Sequence, residues 1–241
     1  MEIITSLDNK KIKNLSKLLQ KKYRDQSDQF LIEGEHLVEE AYKSGNLLEI
    51  IKTEDYELNF NIPSTTVTYE VIKKLSCSVT PQKIIGVCQK IQEKKLGNKI
   101  LILDNIQDPG NLGTIIRSSV AFNVDTIVLS NDTVDLYNDK VLRSSEGMLF
   151  HINIVKKELT PLIDELKKEQ YLIMGTKVTN GENIKNVSIP EKTAIIMGNE
   201  GAGVKEQILA KCDKFIYIPM NPSCESLNVG VATSILLYEL F

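Results

Sequence analysis

The sequence predicts an α/β protein in which a smaller α/β domain precedes a doubly wound parallel sheet with helices on both faces. Its 241 residues are 42% apolar and 25% charged, the composition of a globular protein with a sizeable core. From residue 100 onward, apolar runs of strand length alternate with loops and helical segments, as a parallel sheet covered by helices requires. A charged stretch, EKKLGNK (93–99), precedes these runs and divides the chain into predicted domains at residues 1–96 and 97–241.

The chain begins with a basic segment. Residues 1–24 carry seven Lys or Arg side chains against two acidic ones, although the whole chain has a net charge of -3. Apolar residues recur there at helical spacing, which predicts one amphipathic helix over residues 8–24 with a basic outer face. That face is either a binding surface for a polyanion or simply a solvated helix, since lysine runs usually only keep a helix soluble.

The rest of the first domain alternates short strands and helices, a pattern typical of a small α/β layer structure. The predicted elements are a strand around Phe30–Ile32, a helix over Glu35–Lys43, a strand in LLEIIKTE, a strand-to-helix passage over residues 66–72 and a strand around residues 83–91.

The second domain has a stronger rhythm. Its predicted strands are ILILD (100–104), TIVLS (126–130), YLIMG (171–175), TAIIMG (193–198) and FIYIP (215–219), and a strongly apolar helix covers Val229–Leu240. Ligands of such sheets bind beyond the carboxyl ends of the strands, so the loops that follow the runs are the candidate functional segments.

Several classes of site are excluded by composition. The four cysteines form no C-x-x-C pair and the chain has two histidines, so we expect no metal site and reduced thiols that behave as small apolar residues. The N-terminal MEIITSLDNKKIKNL lacks an apolar core followed by a small-residue cleavage site, so we expect no signal peptide, and no apolar run approaches the roughly 20 residues that span a bilayer. We therefore expect a cytoplasmic protein that does not enter a membrane.

The first notable loop is DNIQDPGNLGTIIRSSVAF (104–122), where a Pro-Gly turn leads into a helix that begins near Asn111 and Gly113. Arg117 follows almost two turns later, among Ile115 and Ile116. A charge against an apolar face costs free energy, so Arg117 is either a salt-bridged structural residue or a functional one.

Two further loops carry polar or glycine-rich patterns. MGNEGAGV (197–204) lets the backbone approach a ligand closely, but it lacks the lysine of a phosphate-binding loop and the order of a dinucleotide fingerprint, so a tight turn without a ligand is the alternative. IPMNPSCESLNVGVATSILLYEL (218–240) places Ser226 and Asn228 at the start of the last helix, where either could be an N-cap.

Taken together, the three loops resemble the three signature motifs of the SpoU (TrmH-like) RNA ribose 2′-O-methyltransferases of the SPOUT superfamily. FLIEGEHLVEEA and SVTPQKIIGVCQK (78–90) are similar to the L30e/L7Ae-like substrate-binding domain that many members carry. The resemblance implies an RNA-binding domain at residues 1–96 and, at residues 97–241, a methyltransferase domain with a deep C-terminal trefoil knot. It also implies S-adenosylmethionine as cofactor and a homodimer.

The resemblance also assigns roles to residues. Arg117 matches the position that acts on the 2′-hydroxyl, as a base or by orientation and electrostatics. Asn123 stands where a glycine is common, a position that Asn tolerates if φ is positive. The other assigned positions are the supporting residues Asn111, Glu200, Ser226 and Asn228, the cofactor wall Gly198, Asn199, Ile218, Met220 and Leu227, and the RNA contacts Lys10, Lys13, Lys17 and Arg143.

The predicted function is transfer of a methyl group from S-adenosylmethionine to a ribose 2′-hydroxyl of RNA. Ribosomal RNA is favoured over transfer RNA because the added N-terminal domain is typical of members that modify ribosomal RNA. Two alternatives stay open: a non-catalytic RNA-binding or ribosome-associated module that keeps the knot, and an unrelated nucleotide-dependent α/β enzyme. The missing phosphate-loop lysine disfavours the latter.

Overall fold

The computed structural model describes residues 3–57, 60–178 and 180–241. The helices are α1 (Lys10–Lys17), α2 (Lys21–Ser27), α3 (Glu35–Lys43), α4 (Tyr69–Leu75), α5 (Pro109–Ala121), α6 (Asp139–Ser144), α7 (Leu159–Lys168), α8 (Glu206–Leu209) and α9 (Val229–Leu240). The strands are β1 (Gln29–Glu33), β2 (Leu47–Thr53), β3 (Ser64–Val67), β4 (Ile84–Gln89), β5 (Lys99–Leu103), β6 (Thr126–Leu129), β7 (Asn153–Lys156), β8 (Leu172–Thr176), β9 (Glu182–Asn183), β10 (Thr193–Met197) and β11 (Lys214–Tyr217).

The chain forms two compact units. The N-terminal unit contains the residues up to Gln92 together with Tyr137–Phe150, and the C-terminal unit contains Glu93–Leu136 and His151–Phe241. The sequence predicts one boundary between residues 96 and 97, so the structure differs in assigning residues 137–150 to the N-terminal unit. Aromatic packing accounts for this, because the ring centroid of Phe30 lies 4.5 Å from that of Tyr137 and 6.3 Å from that of Phe150.

The N-terminal unit is built on a four-stranded sheet with the order β1-β4-β2-β3. Strand β4 is antiparallel to both β1 and β2, whereas β3 is parallel to β2. Helices α1 and α4 pack on this sheet through a buried cluster that includes Ile12, Ile72 and Ile51. The strands and helices predicted between residues 28 and 92 are all present, within a few residues of their expected bounds.

The single helix predicted over residues 8–24 is wrong, because the segment forms α1 and α2 with a break between them. Leu18 closes α1, and Nη1 of Arg24 donates hydrogen bonds to the carbonyl oxygens of Leu18 and Leu19, each at 2.9 Å. The long side chain of Arg24 thus satisfies carbonyls at the end of α1 that would otherwise have continued the helix. Apolar spacing alone does not reveal such a cap.

The C-terminal unit contains a seven-stranded sheet with the order β7-β6-β5-β10-β8-β11-β9, and every strand pair in it is parallel. Consecutive β5 residues from Ile100 to Leu103 are fully buried, so both faces of the sheet are covered. The predicted parallel α/β architecture is therefore confirmed. Strands β7 and β9 were not predicted, since four and two residues are too short to stand out as apolar runs.

The strand order brings two of the candidate loops together. Strand β10 lies between β5 and β8, so the chain segments that leave the carboxyl ends of β5 and β10 are neighbours. The amide of Asp104, directly after β5, donates to the carbonyl oxygen of Met197 at 2.9 Å. From β5 the sheet continues through β6 and β7 on one side and through β10 and β8 on the other. Open parallel sheets bind ligands at the carboxyl ends of the strands beside such a change of direction.

Asn123 has the positive φ under which Asn tolerates a position where glycine is common. It follows the end of α5 with φ +57°, a conformation that Asn tolerates better than most residues because its short polar side chain bonds locally.

Within residues 3–57, 60–178 and 180–241, no helix has both the length and the apolar character needed to cross a bilayer. The same residues contain no His, Cys, Asp and Glu cluster suited to a metal ion, and the cysteines are free.

Candidate active site

The loop after β10 is closed by a pair of backbone hydrogen bonds. The amides of Asn199 and Gly203 each donate to the other residue's carbonyl oxygen at 3.0 Å. A Cβ atom at Gly198 would lie 2.1 Å from backbone atoms of Gly203 and Val204, so this position admits only glycine. The side-chain oxygen of Asn199 accepts from the amides of Gly201 and Ala202, at 3.0 Å each, which leaves the loop preformed.

A cavity of about 540 Å³ lies beside this loop, within the size range of small-molecule sites. Segments that follow β8, β10 and β11 line it, together with the first turns of α9. The structure thus brings together all five residues of the predicted cofactor wall, along with two of the predicted supporting residues. These lining residues are Gly198, Asn199, Ile218, Met220, Leu227, Glu200 and Ser226.

Part of the cavity wall was missed by sequence reasoning. Thr176 ends β8, Lys177 and Asn180 follow that strand, and Glu206 opens α8; all four line the cavity. The ammonium of Lys177 lies 3.7 Å from the ring centroid of Phe215, a cation–π contact. For Thr176, Lys177 and Asn180 the available signal was their position just after the apolar run YLIMG, because that run becomes a strand beside β10. The cavity therefore combines apolar walls with side chains of both charges.

Glu200 links the glycine-rich loop to the start of α5. One carboxylate oxygen accepts from the amide of Asp108 at 3.1 Å and from Nδ2 of Asn111 at 3.0 Å, and the other accepts from the amide of Gln107 at 3.2 Å. Burial raises the pKa of Glu200, but the hydrogen bonds from Asn111 and from backbone amides outweigh it, so its pKa lies below the ordinary value. Glu200 is therefore ionised at neutral pH, and its hydrogen bonds anchor the glycine-rich loop to the start of α5.

Asn228 has two roles that the sequence left as alternatives. Its Oδ1 caps α9 by accepting from the amides of Gly230 and Val231 at 2.9 and 3.2 Å. Its Nδ2 also donates to Oδ1 of Asn111 at 2.9 Å. Ser226 does not cap the helix, but it lines the cavity. Side chains from the three motifs therefore form one continuous chain from Glu200 through Asn111 to Asn228.

Arg117 lies elsewhere than its sequence neighbours suggest. It is exposed, while Leu112, Ile115 and Ile116 form the buried face of α5, so the expected charge against an apolar face is wrong. Sequence proximity misleads here because residues one and two apart on a helix point in different directions. Within the described part of the chain Arg117 has no ion pair or hydrogen bond, and it is not among the cavity-lining residues.

The predicted RNA-contact lysines lie on α1 in the N-terminal unit. Lys13 pairs with Asp8 at 2.9 Å, and Lys17 donates to Asn14 at 3.2 Å. Lys10 is exposed and has no carboxylate at ion-pair distance among the described residues. The lysines therefore differ in how much of their charge is already compensated.

Arg143, the fourth predicted RNA contact, is engaged within the N-terminal unit. Its guanidinium pairs with Asp139 at 2.8 Å and donates to Oγ of Ser78 at 2.9 Å. The ion pair with Asp139 joins residues four apart on α6, an ordinary helical arrangement. Part of its hydrogen-bonding capacity is thus already used by the protein itself.

Comparison with known proteins places these features in a family. Residues 98–238 match the SpoU rRNA Methylase family and residues 9–86 match the MRM3-like substrate binding domain. A 23S rRNA (guanosine(2553)-2′-O)-methyltransferase, RlmP of Bacillus subtilis (strain 168), is 42% identical over 246 residues, which span 100% of this chain and 99% of that protein.

Solved structures show the same architecture over nearly the whole chain. An AdoMet-bound rRNA methyltransferase from Sinorhizobium meliloti has a TM-score of 0.86 at 26% identity and covers 99% of this chain and 96% of its own. A putative RNA methyltransferase of the TrmH family from Porphyromonas gingivalis has a TM-score of 0.87 at 26% identity, covering 97% and 98%.

Proposed function

Because the chain belongs to the SpoU rRNA methylase family, we propose that it transfers a methyl group from S-adenosylmethionine to a ribose 2′-hydroxyl of ribosomal RNA. The observation that carries the proposal is the hydrogen-bonded chain of Glu200, Asn111 and Asn228 beside the 540 Å³ cavity. The full-length relative is named for guanosine 2553 of 23S rRNA, and the equivalent nucleotide is the first candidate target for this chain.

The cavity fits S-adenosylmethionine, which supplies an electrophilic methyl group on a sulfonium sulfur when bound. The apolar side chains of Ile218, Met220 and Leu227 offer the kind of surface against which an adenine packs. Lys177 and Glu206 would complement the charged carboxylate and ammonium of the methionine portion. The closed loop that begins at Gly198 supplies a preformed wall, so little ordering is required on binding.

A ribose hydroxyl is a weak nucleophile at neutral pH, so the chain has to orient it and favour loss of its proton. Arg117 is the proposed catalytic residue. Its guanidinium is exposed and unpaired within the described residues, so its hydrogen-bond donors are available to an anionic group. We therefore assign it to hold the adjacent phosphate and orient the hydroxyl electrostatically. Asn111 and Asn228 are assigned to position the groups around it.

The same proposal includes a homodimer through α9, the helix that packs on α5 within each chain. These helices pack closely, with Oγ atoms of Ser118 and Ser234 at 2.6 Å. Beside that contact Val231, Ile235 and Tyr238 lie one turn apart on α9, and Tyr238 is 73% exposed. Apolar side chains in a row on a helix mark an association surface. Sedimentation of the wild type as a dimer, and of Ile235→Lys as a folded monomer, would support it, whereas a monomeric wild type would contradict it.

We also propose a deep trefoil knot in the C-terminal unit, an L30e-like fold for the N-terminal domain and a location in the cytoplasm. A deep trefoil knot in the C-terminal unit is supported by the return of the segment after β11 to the loop after β10, since both line one cavity. An L30e-like N-terminal domain is supported by the match of residues 9–86 to a substrate binding domain. A ribosomal RNA substrate would place the protein in the cytoplasm.

RNA binding by α1 completes the proposal. Residues 1–99 carry 16 basic and 14 acidic side chains, whereas residues 100–241 carry 13 and 18. The positive charge is thus concentrated in the part of the chain that contains Lys10 and Lys17. Phosphate contacts by lysine supply much of the affinity of proteins for nucleic acids.

Calorimetric titration tests the cofactor half of the proposal. We expect S-adenosylmethionine and its demethylated product to bind with a stoichiometry of about one per chain, because each chain has its own cavity. Binding of ATP or NAD without binding of either methyl-donor form would contradict it and would favour an unrelated nucleotide-dependent enzyme.

A further inference from the structure

The side chains of Asp104, Asp132 and Lys205 form a charged cluster at the C-terminal end of the glycine-rich loop. Asp104 follows β5 and is 1% exposed, Asp132 follows β6, and Lys205 follows the loop that leaves β10. The ammonium of Lys205 lies 3.3 Å from Oδ1 of Asp104 and donates to Oδ2 of Asp132. Neither the family resemblance nor the cavity lining of the cofactor site accounts for this cluster.

We propose that Asp104, Asp132 and Lys205 are positioning residues that hold the loop of residues 198–204 in the conformation that receives S-adenosylmethionine. The inference rests on the proposed function, since that loop is the proposed cofactor wall. It assigns no contact with the cofactor to these residues, and only their hold on the loop is at issue.

Asp104 fastens both ends of the loop. Its amide donates to the carbonyl oxygen of Met197, the last residue before the loop, at 2.9 Å. Its Oδ2 accepts from the amide of Lys205, the first residue after the loop, at 2.9 Å. Two further contacts act on the loop itself, from Asn199 Nδ2 to the carbonyl oxygen of Asn105 and from Gln107 to Glu200. One buried residue therefore sets the separation of the loop's two ends.

Lys205 makes this arrangement depend on charge. Oδ1 of Asp104 is buried and has no hydrogen-bond donor among the described residues, so the ammonium at 3.3 Å is its nearest compensation. A buried carboxylate that loses its cation is strongly unfavourable, and the local backbone would move to admit water. Hydrogen bonding to Asp132 raises the pKa of Lys205, and Lys205 in turn lowers the pKa of Asp132, so both stay charged at neutral pH.

Variants of Lys205 test the proposal. For Lys205→Met we expect a rise of about tenfold or more in the Kd and KM for S-adenosylmethionine, because a small displacement of a binding loop has large effects. The kcat at saturating S-adenosylmethionine should change by no more than about twofold, since the reacting groups are not altered. Lys205→Arg keeps the cation, so it should restore the Kd to within about threefold of wild type.

Lys211→Met is the matched control, because it removes an ion pair with Asp164 in the same unit, away from the cavity. Its Kd should equal that of the wild type. Asp132→Asn, at a half-exposed position, is a second probe if Lys205→Met does not fold, and we expect it to raise the Kd about threefold.

The outcomes separate this inference from the proposed function. A wild type that does not bind S-adenosylmethionine overturns the proposed function and this inference with it. A wild type that binds, with Lys205→Met or Asp132→Asn binding equally well and merely melting at a lower temperature, overturns this inference alone. A Kd that rises equally in Lys211→Met also overturns it, because the effect would then reflect general destabilisation.

Discussion

The side-chain nitrogen of Asn228 donates a 2.9 Å hydrogen bond to the side-chain oxygen of Asn111, although 117 residues separate them in the chain. This bond sets the orientation of both amides. Asn111 accepts through its oxygen, so its nitrogen is free to donate to Glu200 at 3.0 Å. The first and third motifs are thus joined directly, and the second is joined to them through a carboxylate.

Substitution of Asn228 separates its two roles. Asn228→Asp keeps an oxygen that can cap α9 but loses the donor to Asn111, so we expect a melting temperature close to wild type and a marked loss of methyl transfer. Asn228→Ala loses the cap as well, which costs about 1 kcal/mol of stability. Thermal melting and transfer of labelled methyl groups measure the two effects. Full activity of Asn228→Asp would show that the bond to Asn111 is dispensable.

Arg117 can be removed without cost to the fold, because its side chain is exposed and makes no polar contact among the described residues. We expect Arg117→Ala to change the free energy of unfolding by less than about 0.5 kcal/mol. Its kcat for methyl transfer should fall by about a hundredfold or more, as for loss of a group that acts on the reacting atoms.

The Kd for S-adenosylmethionine serves as the internal control for Arg117→Ala. Arg117 does not line the cavity, so this Kd should not change. Full transfer activity in Arg117→Ala would reject the catalytic assignment. A higher Kd for S-adenosylmethionine would show that Arg117 acts through the cofactor instead.

The pKa of Glu200 predicts how its contribution to stability depends on pH. The folded-state pKa lies below the ordinary value of 4.5, so the stabilisation is complete above that value and is lost as the pH falls through the lower, folded-state pKa. The free energy of unfolding of the wild type should therefore exceed that of Glu200→Gln at pH 7. The difference between the two should be smaller at about pH 3.

Urea unfolding at the two pH values measures this dependence for Glu200. Glu165→Gln, at an exposed position on α7, is the control and should show little difference at either pH. A difference between wild type and Glu200→Gln that grows on acidification would contradict the assigned direction of the pKa shift.

The lysines of α1 should contribute unequally to RNA affinity. Lys10 has no carboxylate partner among the described residues, whereas Lys13 is paired with Asp8. Lys10→Gln and Lys17→Gln are expected to weaken binding and to reduce the salt slope by about one each, the effect of one lost phosphate contact. Lys13→Gln is the matched comparison and should have a smaller effect. An unchanged slope in Lys10→Gln and Lys17→Gln would exclude α1 as the contact surface.

The buried parts of the fold were readable from the sequence because burial leaves a pattern. The apolar runs that become β5, β6, β8, β10 and β11 are each four or five residues long with little polar interruption, and all lie in the sheet. Features decided by single long-range contacts left no such pattern. The break after α1 depends on Arg24, and the assignment of residues 137–150 to the N-terminal unit depends on packing around Phe30.

The candidate site divides in the same way. Its backbone features, such as the closed loop at Gly198, follow from glycines in the second motif. The bond between Asn111 and Asn228 depends on how two distant helix starts meet, and the exposure of Arg117 depends on which face of α5 is buried. Neither could be obtained from local spacing, so the motifs identified the participants but not their contacts.

Ribose methylation of ribosomal RNA by this chain can be tested in cells, by mapping 2′-O-methylated nucleotides in ribosomal RNA with and without the gene. We expect one ribose methylation, at a guanosine of 23S rRNA, to disappear with the gene and to return with the wild-type protein but not with Arg117→Ala. An identical set of ribosomal methylations in both cells, or a loss confined to transfer RNA, would contradict it.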